Sequence, residues 1–155
     1  MVHRSRLSRR WRALRSLSFR QWLWVVEASV VVPAVQLSLT RRGFKTTVAR
    51  LARRSDRVAA STFTAHRDMA LSVRLVADRP IVGSVCLGRS LSLWFMLRRR
   101  GVDADLIIGA DPPRDSGMLA AHAWVEVGGV PVNDAPDVRE RYGSFGVSLP
   151  KLSRA

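Results

Sequence analysis

The chain is expected to fold as an α+β domain with helices first and a small antiparallel sheet second. Three observations carry this expectation. Apolar residues recur at helical spacing up to the triplet Arg98-Arg99-Arg100. A β-rich run takes over at Ala104. Gly128-Gly129, set between 121–127 and 130–134, is a hairpin signal. Helices followed by strands, rather than alternating with them, point to α+β and away from a doubly wound sheet. At 155 residues the chain suffices for one domain with a real core, and no internal repeat is visible.

Residues 1–20 are rich in Arg and Ser, with Trp11, Leu14, Leu17 and Phe19 between the charges. Residues 22–39 are strongly apolar, interrupted by Glu27, Pro33 and Gln36. A spanning helix needs about 20 apolar residues with few charges, and this stretch falls short. Basic residues before an apolar run also suit a signal peptide, but no small-x-small cleavage site follows before Arg41-Arg42. The open alternatives are a helix packed on the rest of the domain and one that faces a membrane surface or a partner. Residues 1–58 are expected to form a basic, partly apolar helical segment, and 59–155 the core that carries the chemistry.

Residues 46–54 predict a short helix opening at Thr46 or Thr47. Residues 62–78 predict another, with Phe63, Met69, Val73 and Val76 in the core and Pro80 as its stop. The clearest helix is 86–100. Leu87, Leu91, Trp94 and Phe95 give it one apolar face, three arginines complement the dipole of its last turn, and Gly101 ends it. Ala104 to Ile108 is a strand, 109–117 a loop around Pro112-Pro113, and 121–134 a hairpin.

The net charge is +14, and residues 1–54 hold thirteen Arg and Lys against Glu27 alone. A basic half of this kind suits nucleic acid, anionic lipid or an acidic peptide. The lone cysteine excludes an internal disulfide and any multi-Cys zinc site, and it fits a reducing, cytoplasmic compartment.

That cysteine, Cys86, opens the best helix. A free thiol is mostly protonated at neutral pH, and a helix N-terminus favours the thiolate. Its backbone N–H is one of the unpaired first-turn amides and can face an oxyanion. Against this stands the usual fate of a free cysteine, a small buried hydrophobe. His122 opens the hairpin, with Trp124 and Glu126 on its face by the period of two; alone it would read as a structural histidine. His3 and His66 lack such a context. For the residue that orients His122, the hairpin register leaves two choices. A two-residue turn at Gly128-Gly129 sets position 123 opposite 134, so Asn133 faces with His122. A three-residue loop over 127–129 puts Asp134 opposite His122. The second is preferred, because a carboxylate also stabilises the imidazolium, and Asn133 is the alternative.

Cys86-Leu87-Gly88-Arg89-Ser90-Leu91, the turn from Leu97 to Ala104, Leu106-Ile107-Ile108-Gly109, and Ala121-His122-Ala123-Trp124-Val125-Glu126-Val127 followed by Asp134 resemble the lasso-peptide maturation proteases. These are leader peptidases of bacterial ribosomal-peptide biosynthesis, with a transglutaminase-like, papain-like fold. The resemblance covers about residues 60–142. It implies Cys86 as nucleophile, His122 as general base and acid, and Asp134 as orienting carboxylate, with no cofactor. Residues 1–80 do not look like the winged-helix leader-recognition module that some members carry. The resemblance therefore implies a stand-alone protease acting on a precursor peptide with a separate leader-recognition protein, followed by a macrolactam synthetase. Nucleic acid is not an expected partner. Rival readings are a transglutaminase-like acyltransferase with the same three residues and a non-catalytic basic adaptor for nucleic acid or membrane. A metal site from Cys86, His122 and Asp134 lacks a ligand-spacing motif.

Overall fold

The computed structural model describes residues 17–55, 64–78, 86–110 and 121–142. The Arg/Ser-rich stretch up to residue 16, the helix start expected at 62 with Phe63, the stop at Pro80 and the loop beyond Ala110 lie outside them. Helix α1 is Phe19–Ser55, α2 is His66–Ala77 and α3 is Cys86–Arg98. Strands β1 (Ala104–Ala110), β2 (Ala121–Val127) and β3 (Val130–Pro131) form one antiparallel sheet in that order, and a single turn, α4 (Val138–Arg141), follows.

The two helical stretches expected over 22–39 and 46–54 are the two legs of α1, which meet at a non-helical kink. Helix α1 opens on a capping box. The backbone N–H of Ser18 donates to Gln21 Oε1 at 2.8 Å, and the N–H of Gln21 donates to Ser18 Oγ at 3.3 Å. Pro33 does not break it; the carbonyl the proline leaves without a donor belongs to Ser29, on the exposed face. The kink is at Gly43, with φ 73° and ψ 172°, a conformation nearly confined to glycine. Thr47 braces the bend by donating its hydroxyl to the Gly43 carbonyl at 2.8 Å, and it meets the Ser38 hydroxyl at 2.9 Å.

The inward face of α1, with Trp24, Val25, Ala28, Val32 and Val35, shares one hydrophobic cluster with Met69, Val73 and Val76 of α2 and with Leu91, Leu93, Met96 and Leu97 of α3. The N-terminal helix is thus part of the same core as the rest of the chain. Helix α3 is central and is buried nearly all round, beyond the one face read from its sequence. Its end is a Schellman motif: Gly101, at φ 72°, donates to the Arg98 carbonyl and Val102 to that of Leu97. Arg100 closes on Glu27 of α1 at 2.5 Å, with Arg99 3.5 Å from the same carboxylate. Trp94 Nε1 donates to the Ala104 carbonyl at 3.0 Å, which seats β1 against α3.

Strand β1 runs two residues past Ile108, to Ala110, pairing Gly109 with His122. At Gly128-Gly129 the turn has two residues, both with positive φ, and pairs Val127 with Val130. The three-residue loop is therefore not the one that forms: two adjacent glycines satisfy the twist-matched turn without strain.

Gly43→Ala tests the kink. A Cβ at Gly43 would meet nothing within 4 Å, so any cost lies in the backbone alone and should be about 1–3 kcal/mol. Thermal unfolding measures it, and an unchanged midpoint would mean that α1 bends without a glycine.

Candidate active site

The site lies where the N-terminus of α3 meets the first residues of β2. Cys86 and Ser90, one turn apart on α3, lie along β2. Cys86 Sγ is 3.9 Å from the Ala121 carbonyl oxygen, and Ser90 Oγ donates to the Ala123 carbonyl at 2.7 Å. The helix period of four thus matches the strand period of two, and the thiol is laid beside the residue that precedes His122. Cys86 is half-buried. As the first residue of α3 it leads a turn whose amides lack intrahelical partners.

His122 Nε2 and Asp134 Oδ2 are 2.6 Å apart. Both side chains are mostly buried, at 18% and 16% exposed. Burial raises the Asp134 pKa, but the hydrogen bond to His122, the Ala135 amide, and the charges of His122 and Arg141 outweigh it and hold the carboxyl below its ordinary value. With Nε2 committed to the carboxylate, Nδ1 is the nitrogen left for proton exchange. Tyr142 stacks on the imidazole at 4.7 Å between centroids, and Trp124 lies at 6.2 Å.

Asp134 reaches His122 although the two-residue turn would face it away. The reason is that the ladder stops. Val132 still donates to the Val125 carbonyl at 2.9 Å. At the next position the Asn133 side chain replaces a strand carbonyl: its Oδ1 accepts the Val125 N–H at 2.8 Å, and its Nδ2 donates to Ser90 Oγ at 2.9 Å. Residues 132–134 bend away from the sheet, and the bend delivers Asp134 to the imidazole. Asn133 is bonded to Val125 and Ser90 instead, so it is a structural clasp rather than the partner of the histidine.

A second set of residues holds the ring from behind. Glu126 is buried, accepts Trp124 Nε1 and Arg139 Nε at 2.7 Å each, and pairs a second time with Arg139 NH2. Burial raises its pKa; the hydrogen bonds from Arg139 and Trp124 and the Arg139 charge outweigh that and leave it lowered. This pair fastens α4 to β2 and so places Arg141 and Tyr142 at the site. Gly109, across from His122, makes room: a Cβ there would stand 2.9 Å from the Trp124 ring and 3.0 Å from Tyr142. Sequence reasoning missed Ser90, Arg139 and Tyr142. Period two had placed Glu126 on the face of His122, and its burial is the added fact. No group of three His, Cys, Asp or Glu among the described residues could hold a metal ion.

Asn133→Ala should destabilise the fold by about 1–3 kcal/mol, because the Val125 N–H loses its acceptor and Ser90 a donor; chemical denaturation would check it, and a variant as stable as the parent would remove the clasp from the account. Glu126→Gln should show a pH signature. The folded carboxyl titrates below its ordinary 4.5, so its contribution is fully present above that value and is lost as pH falls through the folded value. The wild-type advantage over the variant should shrink on acidification below 4.5, and an advantage that grows would contradict the ion pair.

The family model for the transglutaminase-like superfamily matches residues 22–146, which takes in α1 as well as the site. Among curated proteins, the microcin J25-processing protein McjB of Escherichia coli is 41% identical over 61 residues. That stretch is 39% of this chain and only 27% of that protein. No solved structure matches.

Proposed function

Since the chain belongs to the transglutaminase-like superfamily, we propose that it is a cysteine peptidase that removes the leader from a lasso-peptide precursor. The support is joint. The relative's name ties it to processing of one peptide, microcin J25, and the reading is supported by the 2.6 Å contact of His122 with Asp134 and by the place of Cys86 Sγ, 3.9 Å from the carbonyl oxygen of Ala121, the residue before His122.

In this reading Cys86 Sγ gives its proton to His122 Nδ1 and attacks the carbonyl at the leader–core junction. The free amides of the first turn of α3 face the oxyanion that forms. His122, now cationic, is stabilised by the Asp134 carboxylate and returns the proton to the leaving amine, the new N-terminus of the core peptide. Water then enters, His122 takes its proton, and the acyl-enzyme opens to a free leader carboxylate and the thiol. The released amine is the group a macrolactam synthetase would acylate. The machinery belongs to residues 59–155, with the inner face of α1 as its support. The leader is presented by a separate recognition protein, and the reaction belongs in the cytoplasm, where a lone thiol stays reduced.

Cys86→Ala should abolish cleavage of the precursor while preserving the fold. Asp134→Asn should slow it about 10²–10⁴-fold, by losing the charge that steadies the imidazolium. Alkylation of the thiol should inactivate the protein and chelators should not. Mass spectrometry of the products reads the outcome. Cleavage that survives Cys86→Ala rules out the thiol mechanism, and a product joined to an added amine instead of a free acid makes the protein an acyltransferase.

A further inference from the structure

The outward face of the first leg of α1 is apolar from end to end. Phe19, Leu23, Val26, Val30 and Leu37 are 81%, 53%, 60%, 69% and 50% exposed. With Pro33 between the last two, they recur every three or four residues and make one stripe ~27 Å long. Trp22 flanks its start at 44% exposed. Residues 22–39 alone fall short of a strictly apolar span, but the helix as a whole is long and apolar enough to cross a membrane, and its opposite face is sunk in the protein core. It therefore has one face left to offer, and soluble proteins seldom leave such a stripe uncovered.

Charge frames the stripe with a single sign. Val30 and Leu37 run into a cavity of about 530 Å³ that has Leu51 and Phe95 on its walls and Arg41, Arg42, Arg50, Arg54 and Arg99 around it; no acidic side chain is among the described residues that line it. Glu27, the one acid before residue 55, is engaged by Arg99 and Arg100. At the other end Arg20 lies over Trp24, 5.3 Å from its centroid, and in the sequence Arg4, Arg6, Arg9, Arg10, Arg12 and Arg15 precede it.

We propose that this face docks the protein on a bilayer rich in anionic lipid, the stripe entering the boundary between headgroups and acyl chains and the arginines of the cavity binding headgroup phosphates. Two features favour lipid over a protein partner. No hydrogen-bonding side chain interrupts the stripe, whereas protein interfaces carry about one hydrogen bond per 100–200 Å². And an apolar face joined to a polybasic segment is the pair of signals that stable peripheral anchoring needs. The proposal rests on α1 and the adjoining end of α3 and stands or falls apart from the peptidase reading.

Flotation of the full-length protein with vesicles tests it. Binding is expected to vesicles enriched in phosphatidylglycerol and not to phosphatidylcholine alone, and it should fall about tenfold or more as salt is raised. Val26→Glu with Val30→Glu, both at exposed positions, should weaken binding by about tenfold or more with an unchanged circular dichroism spectrum and an unchanged rate of Cys86 alkylation. Arg41→Glu with Arg42→Glu should weaken it on anionic vesicles. The proposal is overturned if the wild type stays unbound on anionic vesicles or if the variants float as well as it does. It is equally overturned if the stripe variants lose only saturable binding to a purified protein partner.

Discussion

The amide of Asn133 holds the residues of the candidate site in place. It takes the Val125 N–H, a bond that a continuing strand would have made, and gives its own N–H to Ser90. Ser90 in turn is hydrogen-bonded to the Ala123 carbonyl. One side chain thereby ends the hairpin ladder, ties α3 to β2 and sets the height of α3 along the strand. Cys86, one helical turn before Ser90, inherits its place beside Ala121, and Asp134, the next residue in the chain, inherits its turn toward His122. Because the clasp is partly buried, its bonds are made in a medium where unpaired groups are costly, and this favours one geometry over nearby alternatives.

The imidazole is held from the other side by a different kind of force. Glu126 is almost fully buried while the Arg139 side chain is half-exposed. A buried carboxylate facing an exposed guanidinium gains less than a fully buried pair, but removing the arginine would leave the charge stranded. The pair therefore acts mainly as a fastener for α4, which brings Tyr142 onto the His122 ring and Arg141 toward Asp134. The small cluster of Ile107, Trp124 and Val138 fills the space beneath. Polar and apolar contacts here act on the same target, the orientation of one histidine.

Much of this was legible in the sequence because it rests on local rules. Gly101 after a run of arginines, the two periods that change at Ala104, and Gly128-Gly129 each specify backbone geometry within a few residues. The contact between His122 and Asp134 was also expected, but for a reason that does not hold. A hairpin turn fixes cross-strand partners only while the strand continues, and β3 ends at Pro131; nothing in alternation or turn type signals that an asparagine side chain will replace the next carbonyl. Ser90 escaped notice for the same reason: a buried serine on an apolar helix face declares its partner only once the strand beside it is known. In α1, Pro33 interrupts the apolar run without ending the helix, because the hydrogen bond it omits faces water, whereas Gly43, non-helical at φ 73° and ψ 172°, divides the element into two legs.

Helix α1 shows where composition alone runs out. Hydropathy cannot separate a spanning helix from a core helix, since both are apolar on most sides. Burial separates them. Trp24, Val25, Ala28, Val32 and Val35 are covered by the domain, so the helix cannot leave it to cross a bilayer without opening the core that seats α3. Yet the outer stripe is as apolar as the inner one, and packing among the described residues gives no account of it. Evolution of a core helix toward solubility would place charge on that face, as it has on the second leg, where Arg50, Arg53 and Arg54 are exposed. The contrast between two legs of one helix, one basic outside and one apolar outside, restricts the unexplained surface to the first. In the proposed docking on a bilayer, that outer face would meet the boundary between water and hydrocarbon while the buried face stays in the core beside α3.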